Sequence, residues 1–434
     1  MVRVLFVGAV CARETLVGAA RRQPQRCRGA AATAPLLCRV RSSVGGTRGF
    51  LSWLKDAPST AADEQQERPI HVPVMLDETV SLWAPTPLYE SSDRQQSQFF
   101  VDGTTGFGGH SQELLRRHPN ATLLCIDRDP EVLAIARANL APFKSRVVFH
   151  EGSYASLDAA LLRSIGFPDE VDGICVDLGA NSFHFDEARR GFSVMRDGPL
   201  DMRFNQRDDA LLTAATVVNT FSEVQLTRIF RDFGEERLAK EYAKAIVRDR
   251  DERGVVFQTT ADLRECIERI ARKWQHSGKQ KKKKKAGSAG GGGGVHPATK
   301  CFQALRIFVN DELTHVATGV EQLVAQLAPH GRLATIAFHS LEDRPIKLLF
   351  RRLDTIARHT ADGDDDDDEL HELFMDDDDD GEGDASADAP SLLQRLGPKR
   401  FRLVKRKAIK AKDDEVQTNP RSRSARLRCI ERTV

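Results

Sequence analysis

Short apolar runs alternate along the chain with amphipathic stretches, and each run ends in an acid, a glycine or another polar residue. Phe99 to Val101 stops at Asp102 and four glycines, Gly103, Gly106, Gly108 and Gly109, before Ser111 opens a helical pattern through Leu114 and Leu115. Thr122 to Ile126 ends in Asp127, Val147 to His150 in Gly152-Ser153-Tyr154, Val171 to Val176 in Asp177, and Leu333 to Phe338 in His339 and the SLED that follows. Runs this short, bounded by glycine or acid and separated by helical periodicity, predict strands alternating with helices. The predicted class is α/β, a doubly wound Rossmann-like sheet with a ligand crevice along the carboxyl ends of its strands.

Between the fourth and fifth strands the period changes. Ser222 and Gln225 have capping-box spacing, Leu238, Tyr242, Ala245 and Ile246 share one helical face, and Leu263, Cys266, Ile267 and Ile270 share another. This pattern predicts an inserted helical subdomain over 208–297, dividing a first part of the main domain at 66–207 from a second part at 298–434. Within the insertion, Lys279 to Gly294 is lysine-rich and then glycine-rich, a flexible loop by composition. A single long helix is expected from Phe302 through Leu305, Val309, Leu313, Val316, Val320 and Leu323 to Leu327, stopped at Gly331. Phe401 to Arg406 and Leu427 to Glu431 are expected to pair as a terminal hairpin.

The stretch FFVDGTTGFGGH, Phe99 to His110, reads as strand, tight loop and helix start. Glycine lets the backbone pass close to a ligand and a helix start presents N–H groups, so this geometry suits a nucleotide-type cofactor. Its glycines do not have the G-x-G-x-x-G spacing of a dinucleotide fingerprint. Asp127 nevertheless falls nineteen residues past Gly108, close to the roughly 20 expected for an acid that binds ribose.

Charge changes the picture. The net charge of +1 over 434 residues hides a tract from Asp362 to Asp388 with sixteen acids and no Lys or Arg, so the remainder carries 1 + 16 = +17. A basic body suits a polyanion, and the acidic insert, 362–390, is disordered by composition. Residues 1–55 hold nine arginines and one acid, Glu14, the composition of a mitochondrial transit peptide; a secretory signal around Val4 to Ala12 is the competing reading. Eight cysteines stand far apart with no C-x-x-C, which argues against a zinc site or a disulfide framework and makes Cys125 and Cys175 small core residues. No apolar run approaches the roughly 18 residues of a membrane span.

In series, HVPVMLDE (His71 to Glu78), VDGTTGFGGHS, CIDRDP, GICVDLG, RRGFSVMRDGPLDMRF (Arg189 to Phe204), FGEERLAKEYAKAIV, HPATKCFQALRIFVNDEL, GRLATIAFHSLEDR and NPRSRSARLR (Asn419 to Arg428) resemble the RsmH (also MraW) methyltransferases. The resemblance implies a class I methyltransferase sheet and transfer of a methyl group from S-adenosyl-L-methionine to N4 of a cytidine in small-subunit ribosomal RNA, free or in the assembling subunit. It implies cofactor contacts at Gly106, Gly108, Gly109, His110, Asp127, Tyr154 and Asp177. Physical reasoning agrees for the glycine loop, for Asp127 as acceptor of ribose hydroxyls, and for Asp177 at the strand end. Where the family reads DLGVSSPQ this chain reads DLGANSFH: Asn181 replaces a serine, and His184 replaces a glutamine that contacts the cofactor.

The cytosine amino group is a weak nucleophile, and an acceptor near N4–H helps by taking its proton. Asp177 is the first candidate, with Asn181, Asp201 and His339 behind it. Arg189, Arg190, Arg196 and Arg203, with Arg421, Arg423 and Arg426, are candidates for the RNA path, and the expected compartment is the mitochondrial matrix. Two alternatives stand beside this reading. One is a nicotinamide-dependent oxidoreductase; the other is a catalytically weak RNA-binding ribosome-assembly factor with a retained cofactor site.

Overall fold

The computed structural model describes residues 73–85, 97–276, 296–362 and 396–434. The segment 1–55, the loop 279–294 and the acidic insert beyond Asp362 lie outside the described residues. Seven strands form one sheet: β1 (Gln98–Asp102), β2 (Ala121–Asp127), β3 (Val147–Glu151), β4 (Val171–Asp177), β5 (Leu327–Ala337), β6 (Phe401–Leu403) and β7 (Arg426–Arg432). Their order is β3-β2-β1-β4-β5-β7-β6, with the first five parallel and β7 antiparallel to both of its neighbours. The chain winds outward in both directions from β1 and β4, so the crevice opens at the carboxyl ends of these two strands. The paired terminal strands extend the sheet, as expected from the sequence, although β6 stops at Leu403.

Successive side chains of a strand point to opposite faces, and each face of this sheet has its own core. Val101, Leu124, Ile126, Ile174 and Val176 lie in one cluster, while Phe100, Leu123, Cys125 and Cys175 lie in the other. This double burial explains the continuous apolar reading of the strands. The helices are α1 (Leu76–Trp83), α2 (Gly109–Arg117), α3 (Pro130–Asn139), α4 (Ala159–Ser164), α5 (Ser182–Asp186), α6 (Ala214–Thr220), α7 (Glu223–Asp232), α8 (Ala239–Arg253), α9 (Thr260–His276), α10 (Thr299–Asn310), α11 (Glu312–Ala325), α12 (Ser340–Asp362) and α13 (Asp413–Thr418). On one face α1 and α2 contribute Trp83, Leu114 and Leu115; on the other α11 and α12 contribute Val316, Val320 and Phe350.

A third core gathers α6 to α10 around Phe230, Tyr242, Ile246, Leu263, Ile267 and Leu305, and takes in Phe192, Leu200 and Met202 from the segment before them. Here α7 starts with the expected capping box: Ser222 N donates to Gln225 Oε1 at 3.0 Å, and Gln225 N to Ser222 Oγ at 3.3 Å.

The long helix expected from Phe302 to Leu327 is two helices. Asp311 takes a left-handed conformation (φ 52°) between α10 and α11, and Leu327 already belongs to β5. The break falls beside Asn310, which is fully buried and tied to another segment. Its Nδ2 donates to Met202 O at 2.8 Å, its Oδ1 accepts from Phe204 N at 2.8 Å, and its carbonyl accepts from Arg128 at 2.7 Å. These bonds hold the 189–204 segment against the sheet's carboxyl edge. Further along α11, Gly319 leaves the space that the Tyr154 ring fills: a Cβ there would stand 2.7 Å from Tyr154 Cε2.

Asn310→Ala leaves the Phe204 N–H buried without its acceptor, at a cost of about 1–3 kcal/mol. The expected outcome is an earlier urea midpoint, and Asn310→Asp, which keeps the acceptor but turns a buried carboxylate oxygen onto Met202 O and Arg306 O, is expected to lose at least as much.

Candidate active site

The carboxyl ends of β1, β2 and β4 each carry an aspartate, and the loop between β1 and α2 lies among them. Gly106, at φ 55°, turns its N–H onto Asp127 Oδ2 at 2.9 Å, and Asp129 N donates to Asp127 Oδ1 at 2.9 Å. Gly108, also at positive φ, caps α2, which Gly109 opens against Pro73. Each Asp127 oxygen thus holds one backbone donor and keeps lone-pair capacity for a hydroxyl. Burial pushes the Asp127 carboxyl up to about 7, only partly offset by those two N–H groups. Asp102 is pushed up to about 6 by burial, against the hydrogen bond from Ser111 Oγ at 2.6 Å.

Asp177 is the most exceptional of the three. Its backbone N donates to Thr104 Oγ1 at 2.6 Å, which joins the loops after β1 and β4, but its Oδ1 is buried with no hydrogen-bond partner. Burial, then the charges of Asp102 and Glu342, hold its carboxyl well above the usual carboxylate range. A buried acceptor left unpaired costs free energy that a donor or a cation would recover. The three groups therefore fit a ligand that brings hydroxyls to Asp127 and positive charge or N–H donors to Asp177.

The next loop is built on a hub that the sequence reading did not identify. Asn181 caps α5, its Oδ1 accepting from Phe183 N at 2.7 Å, while Asn181 N donates to His184 Nδ1 at 3.1 Å. His184 Nε2 lies 2.9 Å from Asp129 Oδ2, and Arg190 donates to the same oxygen at 2.6 Å. Asp129 Oδ1 caps α3 through Glu131 N at 2.9 Å, and Arg190 also reaches Phe204 O at 2.7 Å. Burial pushes the Asp129 carboxyl up, but the His184 and Arg190 hydrogen bonds outweigh it and hold it below the usual value. Burial lowers the His184 imidazole, so the ring is neutral at physiological pH. The readable signal for Asp129 is its place before Pro130, an N-cap followed by proline at the first helical position.

Several expected roles need correction. His184 is buried and both ring nitrogens are used within the chain, so it is not a ligand contact. Arg190 is 1% exposed and is an internal tie, whereas its neighbour Arg189 is half exposed beside Glu131. Arg203 forms a two-point pair with Asp201, at 2.9 Å to each oxygen, which removes Arg203 from the RNA path and Asp201 from the free proton acceptors. Asn181 spends its oxygen on the helix cap; its Nδ2 lies over the glycine loop, 3.5 Å from where a Gly106 Cβ would stand. The His110 ring is buried against Val74 O at 3.0 Å, so any ligand contact there falls to its backbone.

Tyr154 is also buried, wedged against Gly103 and Gly319, and its ring is part of the sheet core. His339 Nε2 stands 3.0 Å from Glu342 Oε1 without hydrogen-bond alignment, and neither ring nitrogen has a hydrogen-bond partner. Glu342 in turn accepts from Phe338 N at 2.8 Å. Glu342 and Arg306 lie around Gly179, so the β4 loop, α10 and the start of α12 meet beside Asp177. At this rim Arg426 pairs with Ala337 across the end of β5, Arg423 is exposed, and Arg421 lies over the Phe185 ring of α5 at 5.7 Å. Arg196 is exposed beside Asp186. A cleft of 740 Å³ lined by Met195, Phe257, Arg264, Cys266 and His296 contains none of these aspartates, and its charges largely pair with one another, as in His296 with Glu268 at 2.9 Å.

Residues 68–361 match the MraW methylase family, more than half of the chain. The chain belongs to this family. It is 37% identical over 379 residues to the ribosomal RNA small subunit methyltransferase H of Mycobacteroides abscessus, covering 87% of this chain and 86% of that one. It is 34% identical over 362 residues to the 12S rRNA N(4)-cytidine methyltransferase METTL15 of Homo sapiens, covering 83% and 82%. The enzyme from Thermobifida fusca, named as the first is, is 38% identical over 383 residues, covering 87% and 98%. Family membership gives the aspartate-lined crevice its cofactor class, a methyl donor.

Asp129→Asn removes the charge that compensates the buried Arg190 guanidinium and is expected to cost about 3 kcal/mol. Because the folded Asp129 value is depressed, its contribution is present above the unfolded value of roughly 3.9 and is lost as pH falls through the folded value. Thermal melts of wild type and variant at neutral pH should differ, and the gap should close in acid.

Proposed function

We infer that this chain transfers the methyl group of S-adenosylmethionine to N4 of a cytidine in small-subunit ribosomal RNA. The observation that carries the reading is the unpaired, buried Asp177 oxygen at the switch point of a MraW-family sheet, with Asp127 beside the same glycine loop. Bound there, the cofactor supplies an activated methyl group, so the protein's main contribution is alignment.

Asp127 accepts the ribose hydroxyls, and the Gly106 to Gly109 loop admits the rest of the ligand along the backbone. Asp177 accepts an N4–H of the target base and takes the proton as the nitrogen becomes bonded to carbon. It does so only when ionised, a form that positive charge in the crevice favours. His339, whose Nδ1 has no hydrogen-bond partner while Nε2 stands 3.0 Å from Glu342 Oε1, is the second group at this edge able to receive that proton. The exposed Arg189 and Arg196, with Arg421, Arg423 and Arg426 beyond β5, form the RNA path. A base drawn from its stack reaches the crevice across that rim.

The assembly-factor alternative is not favoured, because Asn181 and His184 form a sound capping box and leave Asp127 and Asp177 in place. The oxidoreductase alternative lacks its glycine fingerprint. We place the enzyme in the mitochondrial matrix, on the arginine-rich, acid-poor first 55 residues and the likeness to a 12S rRNA methyltransferase. Among the described residues no helix is long and apolar enough to cross a membrane.

Knockdown should remove N4-methylcytidine from small-subunit ribosomal RNA, read by mass spectrometry, and wild-type rescue should restore it. Asp177→Asn keeps the shape without the charge and should lower turnover by roughly 10². With Asp127 near 7 and Asp177 raised, kcat/KM of the wild type should climb with pH through neutrality, and Asp177→Asn should retain only the Asp127 part of that rise. Full rescue by Asp177→Asn would remove Asp177 from the proton step.

A fusion of residues 1–55 to a fluorescent reporter should enter mitochondria; a secreted or diffuse reporter refutes the placement.

A further inference from the structure

The loops that follow β2 and β4 are not neighbours in the sheet. β1 lies between those strands, so the loops start about 10 Å apart, two strand spacings, and each is tied to the β1 loop, through Gly106 N to Asp127 and through Asp177 N to Thr104 Oγ1. The His184 side chain adds a direct link between the two. His184 Nδ1 accepts from Asn181 N at 3.1 Å on the β4 side, which makes Nδ1 the unprotonated nitrogen. Nε2 therefore carries the proton and donates to Asp129 Oδ2 at 2.9 Å on the β2 side.

Both ends continue to the ligand-facing groups. Asp129 N holds Asp127 Oδ1 at 2.9 Å, and Gly106 N holds Asp127 Oδ2 at 2.9 Å. Hydrogen bonds run from Gly106 through Asp127, Asp129 and His184 to Asn181, whose side-chain nitrogen comes back over Gly106 without bonding to it. The ring itself is 4% exposed, with the Phe192 and Phe204 ring centroids each 4.9 Å away, so it touches no ligand.

We propose that His184 is a positioning residue for the cofactor: acting through Asp129 and Asn181, it sets the separation between the ribose-binding carboxylate of Asp127 and the Asn181 side of the glycine loop. This rests on the cofactor reading above. Arg190 donates to the same Asp129 oxygen at 2.6 Å and fixes it to the 189–204 segment, whereas the imidazole fixes it to the Asn181 turn.

Two nearly isosteric variants separate the two bonds. His184→Gln keeps a polar atom where Nε2 lies and loses the acceptor for Asn181 N; His184→Asn keeps that acceptor and cannot reach Asp129. Titration calorimetry of the full chain with S-adenosylmethionine should show each variant binding about fivefold more weakly, the loss of one hydrogen bond. Cofactor KM should rise in step, while the KM for RNA stays unchanged. Unchanged cofactor affinity in a variant that melts at lower temperature would overturn the proposal and leave His184 as packing. If either variant fails to fold, the other decides. A wild-type chain that does not bind S-adenosylmethionine would remove the cofactor reading itself, a result distinct from variants that bind as the wild type does.

Discussion

The buried carboxylate of Asp129 is the point on which the site's construction depends. It caps α3, accepts from His184 and pairs with Arg190, and so joins the β2 turn, the β4 turn and the 189–204 segment. Taking a carboxylate and a guanidinium out of water costs several kcal/mol per ion, which only close geometry and additional hydrogen bonds offset. Both conditions are met here: Arg190 also reaches Phe204 O and Glu131, and Asp129 also holds two backbone N–H groups. Such a cluster adds little net stability over an apolar replacement. What it does is restrict the loops to one arrangement, because each alternative leaves a charge unpaired.

That restriction lets the sheet hold Asp102, Asp127 and Asp177 in a desolvated state without collapsing the space between them. Their carboxyl groups are all raised by burial, and each is more costly to ionise than a surface acid. A crevice of this kind favours a ligand that brings hydroxyl donors and positive charge, and disfavours an anionic one. The exposed Arg421 and Arg423 lie outside these three aspartates and have the opposite preference.

Much of this was legible in the residues. β1, β2 and β4 were readable because each is a short apolar run closed by an acid, and burial on both faces produces that run directly; β3 is only partly buried, and β5 starts at Leu327, ahead of its apolar run. The places of Asp127 and Asp177 at the carboxyl ends of β2 and β4 were readable because each acid closes an apolar run. The ionic hub was not. Arg189 and Arg190 are adjacent in a basic segment that reads as RNA-facing throughout, yet one is half exposed and the other is buried. Only the tertiary placement of Asp129 separates them. The break at Asp311 was equally hidden, since the apolar spacing of α10 continues into α11; the hydrogen bonds of Asn310 to a segment about a hundred residues earlier determine it.

The insertion of β7 between β5 and β6 bears on how the protein emerges during synthesis. β5 ends at Ala337, but its outer edge has no partner until Arg426 to Arg432 have been made, and β6 has nothing to pair with before then. A nascent chain therefore carries an open parallel sheet with a bare strand edge through the translation of α12 and everything that follows it. Bare edges are templates for pairing with other chains. The acidic run is made within this interval of synthesis, so each unfinished chain carries a strongly like-charged tract while the edge is bare. Mutual repulsion between such tracts would keep unfinished chains apart until the last strand closes the sheet.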